Sequence, residues 1–515
     1  MHEGLTVFSL LKRAITIAPN AEIVYNDHRQ TYRETYERVL GLANSLLSLG
    51  ISKGSIIGVA DFNTHRYAEL LYVSSLIGAI IYPINIRLPP EQIVYTIKHA
   101  GVEWLFLSKD FMTLSKYVSS PDKVIGLDTN ETKIVYDDLI TRRFTKEPEI
   151  DVKGSDPYSI LYTSGTTGLP KAVMYSNEKA VLGALSIIYQ LGFYDTPAKI
   201  DSNDVILPLI PFYHIWAWGS LFQASYLGAK YVLGGKFDPQ KTLELIKKEK
   251  VTWINAVPTM VHMLLSHANP HELKGLKMLV GGMPITKNLG RKMDEYGIKF
   301  SIIYGGTDML AISISIIPKD IRVDDIIDYL RTTTHPVPFV EAKVVKFDGT
   351  IAGPNEIGEL YVKAPWLPGE YYKDPEKTKT SYENGWFKTG DVALITPEHG
   401  IRVLDRVKDV IKSGGEWIPT SILESIISEM PQIDMVAVIG KPDEKWGERP
   451  IAIVKLRPSA QISKEEIIQY LRKAADDGRI AKWWIPDEVI VVEDIPLTST
   501  GKINKLYLRE KFTAK

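Results

Sequence analysis

Tyr162-Thr163-Ser164-Gly165-Thr166-Thr167-Gly168-Leu169-Pro170-Lys171 packs four aliphatic hydroxyls, two glycines and a lysine into one short loop. Upstream, Ser159-Ile160-Leu161-Tyr162 reads as a buried strand, and downstream Ala172-Val173-Met174-Tyr175 reads as another, so the loop joins two rigid elements. Gly165 and Gly168 let the backbone turn its N–H groups towards an anion. The hydroxyls add donors, and Lys171 adds a point charge. A flexible linker of similar composition would not be flanked by apolar strands or closed by Pro-Lys. The loop therefore reads as a polyphosphate cradle. Its spacing is not the G-x-x-x-x-G-K-[ST] of a Walker loop, because Pro170 precedes Lys171 and Ala172 follows it.

Outward from this loop, the chain alternates helix and strand. Thr31-Tyr32-Arg33-Glu34 has the form of a capping box, followed by Tyr36, Val39, Ala43 and Leu46 at helical spacing and stopped by Gly50. Residues 55–60 then read as a strand, 65–78 as a helix, 80–84 as a strand, 89–99 as a helix and 104–107 as a strand. After the loop the pattern repeats: strand 205–209, a helix around 218–227, strand 230–233, helix 239–248, strand 253–256 and a strand at Leu279. Such alternation predicts two related, doubly wound parallel sheets. From Ala342 the texture shifts to short strands with Gly and Pro turns, as in a small β-barrel-like subdomain. The last 110 or so residues carry their own strands and a second capping box, Ser463-Lys464-Glu465-Glu466, and read as a separate α+β domain. The expected division is 1–404 and 405–515.

The length of 515 residues exceeds what one core supports, and 45% apolar residues supply a large buried interior. Lys and Arg total 61 against 62 Asp and Glu, a net charge of -1, so no global field recruits nucleic acid or an anionic membrane. With no cysteine, disulfides, thiol nucleophiles and Cys-ligated metals are excluded. The start, Met1-His2-Glu3-Gly4, lacks the basic and apolar run of a secretory signal, which makes a cytoplasmic enzyme the expectation. The most apolar window, 70–84, is shorter than the ~20 residues of a membrane span and reads as a buried helix entering a strand.

The loop resembles the phosphate loop of the adenylate-forming superfamily, which includes acyl-CoA synthetases, luciferases and peptide-synthetase adenylation domains. Further segments resemble that superfamily in the expected order, so the resemblance covers essentially the whole chain. It implies that Thr163, Ser164, Gly165, Thr166, Thr167, Gly168 and Lys171 hold the β- and γ-phosphates of ATP. Tyr304-Gly305-Gly306-Thr307-Asp308 is similar to the family's Tyr-Gly-x-Thr-Glu motif. The ring there borders adenine, Thr307 contacts the α-phosphate and Asp308 helps hold Mg²⁺. Asp308 is one methylene shorter than the usual acid, and Ile302 stands where Gln or Asn is commoner. Gly281-Gly282-Met283-Pro284 resembles the Gly-Gly-Ala-Pro turn against adenine, with Met283 narrowing the adjoining acyl pocket. Gly385-Trp386-Phe387-Lys388-Thr389-Gly390-Asp391 resembles Trp-x-x-Thr-Gly-Asp, so Asp391 takes the ribose hydroxyls with Arg406 as second partner.

Lys502, in Thr498-Ser499-Thr500-Gly501-Lys502, occupies the family's catalytic-lysine position. Adenylation brings an anionic carboxylate onto an anionic α-phosphate, and a positioned cation offsets both charges. Lys408 occupies the hinge position, within Asp405 to Lys408. Rotation there lets a mobile C-terminal domain exchange the Lys502 face for the Ser413-Gly414-Gly415-Glu416 face.

Pro211-Phe212-Tyr213-His214-Ile215 resembles the motif whose histidine lines the acyl site. Trp216 and Trp218 follow at strand-like spacing, Trp218 at a gate-like position of bacterial fatty acyl-CoA synthetases, and Val257 and Gly281 add further wall. Two indoles and no cation suit an aliphatic or aryl acid, not a zwitterion. Glu416, Trp446 and Trp483 match positions near CoA in CoA-using relatives. The implied activity is an AMP-forming acid:CoA ligase with ATP, Mg²⁺ and CoA, acting on a medium-chain or short branched fatty acid. The alternative is an acyl-AMP ligase serving a carrier protein or other acceptor. Related fatty acyl enzymes are often dimers, which makes a homodimer an expectation.

Overall fold

A computed structural model describes residues 4–140, 146–163, 169–319, 325–496 and 503–513. Both capping boxes form. Thr31 accepts from the Glu34 amide while the Glu34 carboxylate accepts from the Thr31 amide, opening the helix Tyr32–Ser48, and Ser463 and Glu466 do the same for Lys464–Asp476. Each satisfies amides that a helix start leaves without intrahelical partners. The apolar window near Leu70 becomes the almost wholly buried helix His65–Ile77 followed by the strand Ile80–Pro83. Among the described residues no helix is long and apolar enough to cross a membrane.

The chain divides into two compact units, Met1–Val340 with Lys363–Tyr382, and Glu341–Val362 with Glu383–Lys515. The first holds the two expected sheets. In one, the seven strands run Ile134–Val135, Val124–Gly126, Trp104–Leu107, Ile56–Ala60, Ile80–Pro83, Pro157–Tyr162 and Ala172–Ser176. All neighbours are parallel except the last pair, and Ile160, Leu105, Tyr82 and Leu107 lie in its core.

The second sheet has nine strands: His335–Pro336, Leu310–Ile314, Lys299–Gly306, Lys277–Gly281, Trp253–Ala256, Val205–Pro208, Lys230–Leu233, Glu22–Tyr25 and His28–Thr31. Its far edge is an N-terminal hairpin that the periodicity did not signal. Asn26, at φ 54°, makes the tight turn that a two-residue Asn-Asp loop permits, and Glu22–Tyr25 pairs in parallel with Lys230–Leu233. Val232, Leu207, Ile254 and Val280 fill the core beneath.

The second unit holds two five-stranded sheets. One is built from Glu341–Val345, Gly358–Lys363, Trp386–Ile395, Tyr382–Glu383 and Ile401–Arg406, the short strands expected after Ala342. The other joins Glu416–Ile418, Ile411–Ser413, Gly447–Leu456, Ile433–Asp443 and Glu488–Val492. The helices Thr420–Ser428 and Lys464–Asp476 bury Leu423, Ile427, Ile467 and Leu471 against this last sheet. The short strands thus cluster with the C-terminal residues rather than with the two large sheets.

Candidate functional site

The phosphate loop hangs from an antiparallel pair, with Tyr162 opposite Ala172. Its mouth is closed by two bonds: the Thr163 amide donates to the Lys171 carbonyl (2.8 Å), and the Lys171 amide donates to Thr163 Oγ1 (3.3 Å). The intervening Ser164, Gly165, Thr166, Thr167 and Gly168 lie outside the described residues. Below the mouth the Tyr162 phenol is 2.7 Å from His99 Nδ1 and 3.2 Å from the Thr96 carbonyl.

Three adjacent parallel strands, Trp253–Ala256, Lys277–Gly281 and Lys299–Gly306, bring their C-terminal ends side by side. From the first follows Val257, from the second the turn Gly281 to Pro284, and from the third Tyr304 to Asp308. Close packing explains the glycines. A Cβ on Gly281 would lie 2.6 Å from Ile303 Cγ2 and 3.2 Å from Trp218 Cη2, and one on Gly282, at φ 80°, 3.3 Å from Val257 Cγ1. A Cβ on Gly305 would meet the Leu310 carbonyl oxygen at 1.9 Å. Met283 is 39% exposed, so it is no core methionine. Ile302 lacks a polar side chain, but its amide donates to Ser315 Oγ (2.7 Å) while its own side chain packs into the apolar core.

Two phenols brace the last two residues of the Tyr304–Asp308 motif. Tyr175 donates to the Thr307 carbonyl (2.9 Å), and Tyr371 donates to Asp308 Oδ2 (2.5 Å). Neither phenol was read from the sequence. A Mg²⁺ ion prefers hard oxygen ligands and commonly takes only one or two carboxylates plus phosphates. The half-buried Asp308, with Oδ1 making no hydrogen bond among the described residues, fits that demand. No group of three or more ligating side chains gathers among the described residues, so an ion at Asp308 would take its remaining ligands from ATP and water.

The acyl motif departs from its expected conformation. Ile215, Trp216, Ala217 and Trp218 all have φ between 50° and 56°, and Gly219 follows at 69°, a left-handed run costing about 1–2 kcal/mol per non-glycine residue. The strand-like spacing expected of Trp216 and Trp218 is therefore corrected, and the helix begins only at Ser220. Partners hold the run in place: Asn255 donates to the Ala217 carbonyl (2.8 Å), and Gln223 donates to the Trp218 carbonyl (2.9 Å). The reversal separates the indoles. Trp216 is fully buried among Tyr158, Tyr175 and Phe222, with Nε1 donating to Ser159 Oγ (3.1 Å), so its surroundings are core and not pocket. Trp218 instead points at Gly281. His214, just ahead of the run, is held neutral: burial and the Arg87 charge push its pKa down to about 4.

In the second unit, Asp391 on Trp386–Ile395 faces Arg406 on Ile401–Arg406. Arg406 Nε donates to Asp391 Oδ1 at 2.8 Å, with the carboxylate buried and the guanidinium more than half exposed. Asp391 is further fixed by its amide, which donates to Thr389 Oγ1 (3.1 Å), itself bonded to the Leu360 carbonyl (2.8 Å). In the segment read as a hinge from the sequence, Asp405 Oδ2 accepts from the Thr420 amide and hydroxyl (both 2.6 Å), capping the helix Thr420–Ser428. Burial lowers the Lys408 pKa. Glu416 pairs with Ser413 across the Gly414-Gly415 turn, and the Trp446 indole covers Gly414, whose amide donates to the Trp446 carbonyl (2.8 Å). Trp446 and Trp483 are 45% and 41% exposed, whereas neighbouring Trp484 is core. Lys502 lies outside the described residues. The Asn504 amide donates to the Pro496 carbonyl (2.8 Å), joining the ends of its loop, and Lys505 is fixed by Glu424 (2.7 Å).

The sequence pattern of the AMP-binding enzymes matches residues 11–372, and that of the AMP-binding enzyme C-terminal domain matches 423–502. The chain belongs to the AMP-binding enzyme family, the adenylate-forming superfamily. It is 32% identical to a long-chain-fatty-acid–CoA ligase of Thermus thermophilus over 99% of this chain and 96% of that one. It is equally similar, at 32%, to a medium-chain-fatty-acid–CoA ligase of Ectopseudomonas oleovorans, covering 99% and 97%. Among solved structures, the O-succinylbenzoate CoA synthetase of Bacillus subtilis, in complex with ATP and magnesium ion, superposes with a TM-score of 0.79 at 25% identity, covering 97% and 99%.

Proposed function

We infer that the protein is an AMP-forming acid:CoA ligase that condenses a carboxylic acid with ATP to acyl-AMP and pyrophosphate, then passes the acyl group to CoA. One observation carries the reading furthest. The ends of three neighbouring parallel strands deliver Val257, Gly281-Gly282 and Tyr304 to Asp308 together, at the carboxyl edge where doubly wound sheets bind ligands. Thr163 and Lys171, with the loop between them, hold the departing phosphates. Thr307 meets the α-phosphate, Asp391 and Arg406 take the ribose, and Asp308 would contribute one carboxylate to Mg²⁺, which supplies charge neutralisation at the phosphates.

Lys502 supplies the cation for carboxylate attack. His214, neutral at working pH, lines the acyl site without adding a charge beside the acid. Rotation about Lys408 then presents Glu416, Trp446 and Trp483 to CoA. The acid is a medium-chain or short branched fatty acid, since Trp218, set against Gly281, fills the far side of the acyl pocket with apolar bulk. The test is product analysis with free CoA across aliphatic acids of two to sixteen carbons, about the span a closed or open pocket distinguishes. Stoichiometric AMP, pyrophosphate and acyl-CoA, with an optimum below about ten carbons, are expected. ADP and phosphate, or acyl-AMP that free CoA does not consume, would refute the reading.

A further inference from the structure

We propose that Tyr371 is the positioning residue for Asp308, aiming the short carboxylate at the metal–nucleotide and thereby setting how much Mg²⁺ the enzyme needs. This rests on the reading of Asp308 as the acid that meets Mg²⁺·ATP. Aspartate has a shorter arm than glutamate, so its useful oxygen depends more on where its carboxylate plane is held. The Tyr371 phenol donates to Oδ2 at 2.5 Å, in the range of strong O–H···O⁻ bonds, and leaves Oδ1 for a cation or its water.

The phenol is itself tied down on three sides. Tyr371 bridges to Val173, on the strand that leaves the phosphate loop, and the next residue's amide, on Tyr372, donates to the Ala172 carbonyl (2.8 Å). The Tyr371 amide donates to Thr378 Oγ1 (2.9 Å), and Ser381 lies against the hydroxyl. One residue thus fastens two motifs together: backbone to the strand after the loop that reads as the β- and γ-phosphate cradle, side chain to the acid that reads as the metal contact. Nearby Tyr382, whose hydroxyl accepts from the Gly369 amide (3.1 Å), makes no hydrogen bond to Asp308 among the described residues.

The experiment is calorimetric ATP binding to the full chain over a Mg²⁺ series and in chelator, with the melting temperature of the nucleotide-free protein alongside. Tyr371→Phe is expected to raise the Mg²⁺ concentration for half-maximal ATP binding about tenfold, the scale of one lost charge-assisted hydrogen bond, while leaving metal-free ATP binding unchanged. Tyr382→Phe is expected to leave both unchanged. In an Asp308→Asn background, Tyr371→Phe should have no further effect on the Mg²⁺ requirement, and this cycle isolates the pair even if the single variant melts lower.

Equal weakening with and without Mg²⁺, an equal shift in Tyr382→Phe, or a full effect persisting in Asp308→Asn would each overturn the proposal. The measurement is separate from acyl-CoA production. A wild type that binds Mg²⁺·ATP and responds as above but makes no thioester would sink the ligase reading alone. A competent ligase whose Tyr371→Phe variant keeps the parent Mg²⁺ dependence would sink this one.

Discussion

Arg406 Nε and Asp391 Oδ1 stand 2.8 Å apart on paired strands, the carboxylate buried and the guanidinium open to solvent. A buried carboxylate with one exposed counter-charge is stable yet still able to accept from a ligand. Asp391→Ala is expected to lower kcat/KM for ATP about a hundredfold or more, the scale of losing a charge-assisted ligand contact. Arg406→Leu should cost more stability than Asp391→Ala, because it removes the guanidinium charge while the carboxylate stays buried. Pyrophosphate exchange and thermal melts on both variants check this, and a more stable Arg406→Leu would contradict it.

The two half-reactions should come apart by mutation. Lys502→Ala is expected to slow acyl-adenylate formation by about 10²–10³-fold while largely sparing thioester formation from supplied acyl-AMP. Lys408→Pro, which restricts backbone rotation at the proposed hinge, should do the reverse. Single-turnover assays of each step decide the matter, and equal losses in both steps for either variant would refute its assigned role.

The two tryptophans should behave oppositely. Trp218→Gly opens space beside Gly281 and is expected to shift the preferred acid towards longer chains, read as kcat/KM across an acid series. Trp216→Leu leaves a void among Tyr158, Tyr175 and Phe222 and orphans the Ser159 hydroxyl. It should destabilise by about 3–5 kcal/mol and leave the chain-length preference where it was. A chain-length shift in Trp216→Leu without loss of stability would return that indole to the pocket.

Acid sensitivity should arise at a buried imidazole. His65 is buried, stacked on His28 at 4.0 Å, and burial, reinforced by His28, Arg66 and Arg38, lowers its pKa from 6.5 to about 2. Between those values the unfolded chain binds the proton and the native state does not, so stability falls as pH drops below 6.5. From pH 6.5 to 5 the loss is about 2 kcal/mol. His65→Phe should remove this slope, giving urea midpoints that converge with or exceed wild type near pH 5. Parallel midpoint curves from pH 7 to 5 would refute the assignment.

What the sequence made legible follows from what chemistry imposes on residue type. Ser159 to Tyr162 and Ala172 to Tyr175 are short, mainly apolar runs on either side of a Gly-containing loop, and length and composition agree there. The Thr307-Asp308 and Asp391 motifs stand out in the sequence because the chemistry they resemble tolerates few side chains. Their supports do not. Tyr371 meets Asp308 across 63 positions, and an unremarkable Tyr-Tyr pair carries no local sign of that contact. The left-handed run at Ile215 to Trp218 defeats pattern reading outright, since isoleucine and tryptophan disfavour positive φ and partners such as Asn255 and Gln223, distant in sequence or beyond the turn, help make it tenable. The short hairpin Glu22 to Thr31 escaped because its partner strand lies far downstream. The residues Ser164 to Gly168 and Lys502 rest on sequence alone.

That hairpin has a consequence for how the chain is made. Ile23 pairs with Tyr231 and Val24 with Val232, so Glu22–Tyr25 must wait for the middle of the chain before its inner neighbour, Lys230–Leu233, exists. Until then Glu22–Tyr25 and His28–Thr31 form an isolated two-stranded ribbon, which is marginal in water, and closing so long a loop is slow. Synthesis order therefore opposes assembly order at this edge. The nascent hairpin is the segment that chaperones would have reason to shield, and removing it would bare the Lys230–Leu233 edge to pairing with other chains.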